Sequence, residues 1–350
     1  MSTRLGFEDL KKNVVEKGIC AGCSTCVVVC PYKGVLEYVE GQPKVVGDCK
    51  VCGICSRVCP RADVQISEME KFVFGQTRKP EEAFGIYRAL HVVKSSMSDV
   101  LSHCQDGGAV TAILNSAFDS GIIDGAVLSG LDSSMPWRPQ PFVATTKQDV
   151  IHCSGTRYTY SANLLALGKC ITDGVLKKVA FVGTPCQILA FRQIQKIPLR
   201  KFSDRVVVTI GLFCSESFTY SGLMQHKINY EMKIDLQDIE KINIKGKMLL
   251  TLKNGKTAEI SLKEARNYAE KKCRYCSDFS SELADIAVGG VGLDGRTLTI
   301  IRTEQGEKFL DNALEKRALE MKPVVDFPRA HNLLVQLSKL KRQNTQNIVK

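Results

Sequence analysis

Apolar and polar positions follow two rhythms along this chain. From about Tyr87 onward, short apolar runs alternate with segments of helical period. Leu90-His-Val-Val-Lys reads as a strand. The stretch Asp106 to Gly121 reads as a helix, with Val110, Ile113, Leu114 and Ala117 on one face and Gly121 as its stop. Ile122 to Leu128 is the next strand. Lys178 to Gly183 and Arg205 to Phe213 are continuous apolar runs, as strands covered on both faces would be. Helices near 161–172, 187–196 and 217–230 separate them. A β section follows: 241–245, 248–252 and, after the Asn254-Gly255 turn, 257–261. Residues 263–272 read as helix, 287–290 and 298–302 as strands, and 305–321 as helix. From Ala330 the pattern is a basic amphipathic helix that frays into a polar tail, a solvated surface element.

Residues 1–85 lack this rhythm. A short helix over 1–19 leads into a loop, and Gly34 to Val46 is a small hairpin around Gly41. Residues 61–85, with mixed charge, Gly75 and Pro80, read as strand remnants and a linker. At 350 residues the chain has room for two or three domains. The expected organisation is 1–66, a linker at 67–85, a larger domain over 86–325, and a helix and tail over 326–350.

Cysteine changes the picture most. Cys20, Cys23, Cys26 and Cys30-Pro31 are spaced C-x2-C-x2-C-x3-C-P, and Cys49, Cys52, Cys55 and Cys59-Pro60 repeat the spacing. This is the run by which bacterial-type ferredoxins hold [4Fe–4S] clusters, the fourth cysteine of each run serving the other cluster. The expected sets are therefore Cys20, Cys23, Cys26 and Cys59, and Cys49, Cys52, Cys55 and Cys30. Gly22 and Gly53 let the backbone turn around the cluster, and each proline stops a short helix begun after the third cysteine. Paired zinc sites also use C-x2-C, but zinc needs neither the third close cysteine nor the trailing Cys-Pro.

Of the remaining cysteines, Cys186 and Cys214 each follow an apolar strand, and Cys273-Arg-Tyr-Cys276 lies on a polar loop. Adjacent parallel strand ends are where open α/β sheets bind ligands, so Cys186, Cys214, Cys273 and Cys276 could complete a third [4Fe–4S] set. A redox C-x2-C or unrelated buried thiols are the alternatives. Cys170 reads as core; Cys104 and Cys153 lie beside glycine-containing loops.

Two loops suit a nucleotide or flavin. Gln105-Asp106-Gly107-Gly108, with Thr111 beyond, opens a helix whose free amides favour an anion. Ser154-Gly155-Thr156-Arg157-Tyr158 offers hydroxyls, rings and a guanidinium, with Arg157 the candidate phosphate contact. His103 and His152 flank them as ordinary polar residues.

The formal charge of +11 would fall to about +5 once twelve thiolates hold three clusters. The positive charge left over suits an anionic cofactor or acidic partner, and no nucleic-acid motif accompanies it. No run of 18 apolar residues and no secretory leader are present, so the expectation is a chain of a reducing cytoplasm with no direct membrane span.

Taken together, Gln105 to Leu114, Gly121 to Val127, Ser154 to Tyr158, Gly183-Thr184-Pro185-Cys186-Gln187, Gly211 to Cys214, Cys273 to Asp278 and Asp285 to Gly289 resemble the family of beta subunits of coenzyme F420 hydrogenases and dehydrogenases. The resemblance covers most of 85–305. It implies FAD, held by the two loops and by Gly183, Thr184 and Pro185, and it strengthens the third cluster. The implied fold is an α+β two-[4Fe–4S] ferredoxin domain followed by an α/β flavin domain with a mixed sheet. The implied activity is hydride transfer from reduced F420 to FAD, then single electrons through the clusters to other subunits of a membrane-associated or soluble redox complex. A ferredoxin ahead of the flavin domain looks most like the input subunit of F420H2 dehydrogenases, which feed quinone or methanophenazine at the cytoplasmic face of the membrane. The alternatives are the beta subunit of an F420-linked hydrogenase, formate dehydrogenase or other reductase, and a non-enzymatic electron shuttle. Lys271, Lys272 and Arg274 are either attractors of the acidic F420 tail or a solvated basic loop.

Overall fold

The computed structural model describes residues 6–197 and 199–349, so positions 1–5 of the expected first helix lie outside it. Phe7–Leu10 begins a helix that widens into a π-type turn over Lys11–Val15. Its buried Phe7, Leu10 and Val14 pack on Cys26, Cys55 and Cys59. Strands β1 (Leu36–Val39) and β2 (Gln42–Val45) form the expected hairpin.

The body is a mixed α/β structure around one eight-stranded mixed sheet. Its strands are β3 (Ala89–Ser95), β4 (Gly125–Leu131), β5 (Pro139–Ala144), β6 (Val179–Gly183) and β7 (Val206–Leu212). After a separate antiparallel sheet of β8 (Ile239–Ile244), β9 (Lys247–Leu252) and β10 (Thr257–Ser261), the chain adds β11 (Ile286–Gly289), β12 (Thr297–Ile301) and β13 (Leu319–Pro323). The large sheet runs β13-β3-β12-β11-β7-β6-β4-β5. The central β11-β7-β6-β4 pairs are parallel and the flanking pairs antiparallel. Every residue of β6 is buried. Its alternate side chains enter different cores: Ala180 and Val182 one, Val179 and Phe181 the other. That double burial explains the continuous apolar run.

Four expectations need correction. Residues 67–85 are not a linker: Ile66–Phe74 is a helix with Met69 fully buried against the 185–196 helix. Arg78 then pairs with Glu70 and Glu282, and Glu282 with Arg342, tying this stretch to distant chain. The expected 305–321 helix ends at Glu315, where Arg317 takes a left-handed φ of 55° and turns the chain into β13. Residues 263–272 form one short helix, Leu262–Ala265, and two 3-10 turns. The C-terminal helix runs unbroken over Pro328–Val349, and its Ala330, Leu334 and Ser338 are fully buried, so it is no solvated element. Among the described residues no helix is long and apolar enough to cross a membrane.

Candidate functional site

The two cysteine runs adopt the same backbone path. In each, the second and fourth residues after the first cysteine have positive φ: Gly22 at 67° and Ser24 at 65°, then Val51 at 49° and Gly53 at 77°. A β-branched residue such as Val51 is disfavoured there, and local strain of this kind is held where a site demands it. The short helices Thr25–Val28 and Ile54–Val58 start just before the third cysteine of each run, not after it as the spacing suggested. They pack on each other, which lets the fourth cysteines cross. Cys30 lines one cavity with Cys49, Cys52 and Cys55, while Cys59 lies beside Cys20, Cys23 and Cys26.

Among the described residues, no three His, Cys, Asp or Glu side chains converge tightly enough to hold one metal ion. All fifteen cysteines are free thiols. Four thiols of each set are nonetheless gathered in one neighbourhood. Burial pushes the thiols up, Cys23 to about 12 and Cys55 and Cys59 to about 11. Such thiols ionise when a metal takes the proton's place.

The third set forms where the topology leads. Strands β6 and β7 are adjacent and parallel. Cys186 follows β6 in the first turn of the Pro185–Lys196 helix, and Cys214 follows β7. The Lys271–Tyr275 turn brings Cys273 and Cys276 to them, close enough for the four sulfurs to influence one another. Ser217 N donates to Cys273 Sγ at 3.4 Å. Burial raises Cys273 to about 11 despite that bond. Sequence reasoning missed the cover of this set. Lys341 Nζ donates to Cys214 O, and Thr345 Oγ1 donates to Cys276 O at 3.0 Å, both from the C-terminal helix. The only signal for it was the amphipathic pattern after Ala330.

The sets adjoin. Cys186 lies close enough to Cys20 and Cys23 to affect both. Tyr160 stands between, its hydroxyl 3.6 Å from Cys186 Sγ. Lys272 Nζ lies 4.2 Å from the Tyr160 ring centroid, and Arg61 donates to the carbonyls of Lys272 and Tyr275. Lys272 is thus largely enclosed, between two cysteine sets, while Lys271 and Arg274 beside it are exposed.

The two expected flavin loops do meet. Thr156 N donates to Gln105 Oε1 at 3.3 Å, and Ser154 Oγ to His103 O at 3.2 Å. Their parts play unequal roles. Gly107 is a joint: its N–H donates to Thr297 Oγ1, its carbonyl accepts from Ser95, and a Cβ there would strike Val93 O and Thr297 N at 2.7 Å. Gly108 starts the Ala109–Asp119 helix with a φ of 72°, and Thr111 is buried in it. The 107–108 pair therefore serves packing against the sheet, and Gly107's amide is already taken. Asp106 packs against Gly290, where a Cβ would overlap its carboxylate. Arg157 behaves differently. Its Nη1 donates to Ser154 O at 2.7 Å, its Nε is buried without a partner, and among the described residues no carboxylate pairs with it. Burial lowers its pKa, which only the neighbouring Cys153 opposes. A buried, unneutralised guanidinium fits a phosphate. Beside it Gly155 is exposed with a φ of 85°, and Tyr158 packs into the core of the small sheet. Gly183, Thr184 and Pro185 lie instead at the third cysteine set, with Thr184 Oγ1 3.3 Å from Cys186 Sγ.

The family comparison decides between the resemblances. The family model for the C terminus of the coenzyme F420 hydrogenase/dehydrogenase beta subunit matches residues 176–326, and that for its N-term matches 90–168. The chain belongs to this family of coenzyme F420 hydrogenase/dehydrogenase beta subunits. It is similar to a subunit of the F420H2 dehydrogenase of Methanosarcina mazei, at 30% identity over 94% of this chain and 91% of that one. It is 35% identical to a coenzyme F420-dependent sulfite reductase of Methanocaldococcus jannaschii over 96% of its length, but spans only 51% of that protein. A chain of the F420-reducing [NiFe] hydrogenase complex from Methanosarcina barkeri superposes with a TM-score of 0.74 at 33% identity, covering 78% of this chain and 94% of that one. The hydrogenase and dehydrogenase relatives are subunits of F420-linked oxidoreductases.

Proposed function

We propose that this protein oxidises reduced coenzyme F420, FAD accepting the hydride and three [4Fe–4S] clusters passing single electrons to a partner subunit. The observation that carries the reading is the contiguity of the three four-cysteine sets, from the β6–β7 edge through Tyr160 and Lys272 to the exposed Cys49. Residues 1–66 would be the ferredoxin-like unit and 86–325 the flavin unit.

The chain's own residues divide the work. Cys186, Cys214, Cys273 and Cys276 would hold the cluster nearest the sheet; Cys20, Cys23, Cys26 and Cys59 the next; Cys30, Cys49, Cys52 and Cys55 the outermost. Arg157, with Ser154, Gly155 and Thr156, would bind the flavin's phosphates. Gln105 fixes that loop to the small sheet through Ile242 O and Asn243. Tyr160 and the Lys341 helix keep water from the inner thiolates, which shields their charge less and fixes their geometry.

A dehydrogenase input subunit is favoured over a hydrogenase one. The dehydrogenase relative aligns over 94% of this chain, whereas the hydrogenase chain covers 78%. Anaerobically purified protein should contain about twelve iron atoms and one FAD, three four-iron clusters in all. F420H2 should bleach the flavin band. Flavin-free holo protein, or a flavin that F420H2 leaves oxidised, would leave the electron-shuttle reading in its place.

A further inference from the structure

A cavity of about 320 Å³ opens beside the flavin loops, between the end of β3 and the small sheet. It is lined by Lys94, Cys104, Asp106, Lys241, Asn243 and Lys245, among others. The strand period explains its chemistry. Lys241 and Asn243 are alternate residues of β8 and share one face, while Ile242, between them, enters the core of the small sheet; Lys245 joins the lining from the turn that follows. Lys94 reaches in from β3.

The charge balance is positive. Lys245 is paired with Asp294, whose own side chain is exposed. Among the described residues neither Lys94 nor Lys241 has a carboxylate partner; Lys241 Nζ donates only to Cys104 O, at 3.2 Å. Asp106 is the one carboxylate in the wall, and burial pushes its pKa up. Gln105 forms the boundary between this cavity and the Thr156–Arg157 loop. Arg157 keeps its Nε shut off from solvent, as suits a resident group, whereas Lys245 stands exposed at the rim of the cavity, as suits a ligand that comes and goes.

We propose that the Lys94, Lys241 and Lys245 cavity binds the acidic tail of coenzyme F420, holding it by charge while its ring meets the flavin. This rests on the functional reading above and names the part of the substrate that the cavity takes. Lysines give point charges with rotatable donors, which tolerate a flexible polyanion better than a fixed fork would.

The test uses the holo protein and the Lys94→Ala and Lys241→Ala variants, with Lys241→Arg as the charge-retaining control. KM is measured for F420H2 and for a tail-free analogue carrying the same ring. Each alanine variant should raise KM for F420H2 about tenfold or more, and the ratio of the two KM values should grow. Lys241→Arg should restore most of the loss. Added salt should narrow the gap between wild type and variants. Iron and FAD content report whether each variant has folded and loaded. An unchanged KM, or an equal rise for the tail-free analogue, overturns the site. Loss of FAD from loaded, iron-replete variants also overturns it, and assigns the lysines to the flavin's phosphates. Wild-type protein whose flavin F420H2 never bleaches overturns the functional reading itself, and the tail site with it.

Discussion

Gly22 and Val51 occupy the same place in the two cysteine loops and differ in what they tolerate. A Cβ on Gly22 would come within 2.8 Å of Gly41 O and of Lys272 Nζ. Gly22→Ala should therefore dislodge Lys272 and the first loop together, lowering iron from about twelve to about eight atoms per chain in elemental analysis. Val51→Gly removes a left-handed β-branched residue from an open position and should keep the full iron content. Asp285 offers a cleaner measure of burial. Burial alone would raise its pKa, but Arg192 at 3.0 Å and the Thr209 and Thr303 hydroxyls hold it below the ordinary carboxylate value. A depressed carboxylate stabilises the fold at pH above its unfolded value of about 3.9 and loses that contribution as pH falls through the lower folded value. Asp285→Asn should cost about 3–5 kcal/mol at neutral pH, leaving Arg192 unpaired. Denaturation below pH 4 should then depend less on pH in the variant than in the wild type.

The elements differ in how far local pattern announced them. The crossing of the two cysteine runs was legible because their spacing predicts each fourth cysteine beside the other run, where it lies. Cys186 and Cys214 were legible one level up, because two apolar runs ending in cysteine become adjacent only if their strands pair in parallel, and they do. The packing role of Gly107 was not legible, since its constraint comes from β3 and β12, whose approach no local pattern records. Strand β13 was absorbed into the preceding helix because only Leu319 of its five residues is buried; Glu320 and Lys322 guard an exposed edge. The C-terminal helix was the largest omission. Its Lys341 places an ammonium against the carbonyl of Cys214, near the sulfurs of Cys273 and Cys276. Lys341→Met should lower the midpoint potential of the cluster proposed there, on the order of tens of millivolts, because a lost positive charge disfavours the reduced state. Redox titration followed by electron paramagnetic resonance reads that shift, and Lys341→Arg should largely reverse it.

At the scale of the molecule, the cysteine-rich front and the α/β body are one solid. Ala21, Cys23, Val29, Val58 and Met69 share a core with Leu164, Leu167, Phe181 and Phe191. Ion pairs from Arg78 through Glu282 to Arg342 join residues far apart in the chain. Met69→Ala should cost about 2–5 kcal/mol, and calorimetry should show a single transition moved to lower temperature rather than a front half melting ahead of the rest. The seam was invisible from the first 85 residues because the groups that bury Met69 come from residues 164–206. Because that interior is shared, whatever unsets the front loops also loosens the body they rest on, so damage at one end of the chain is felt at the other.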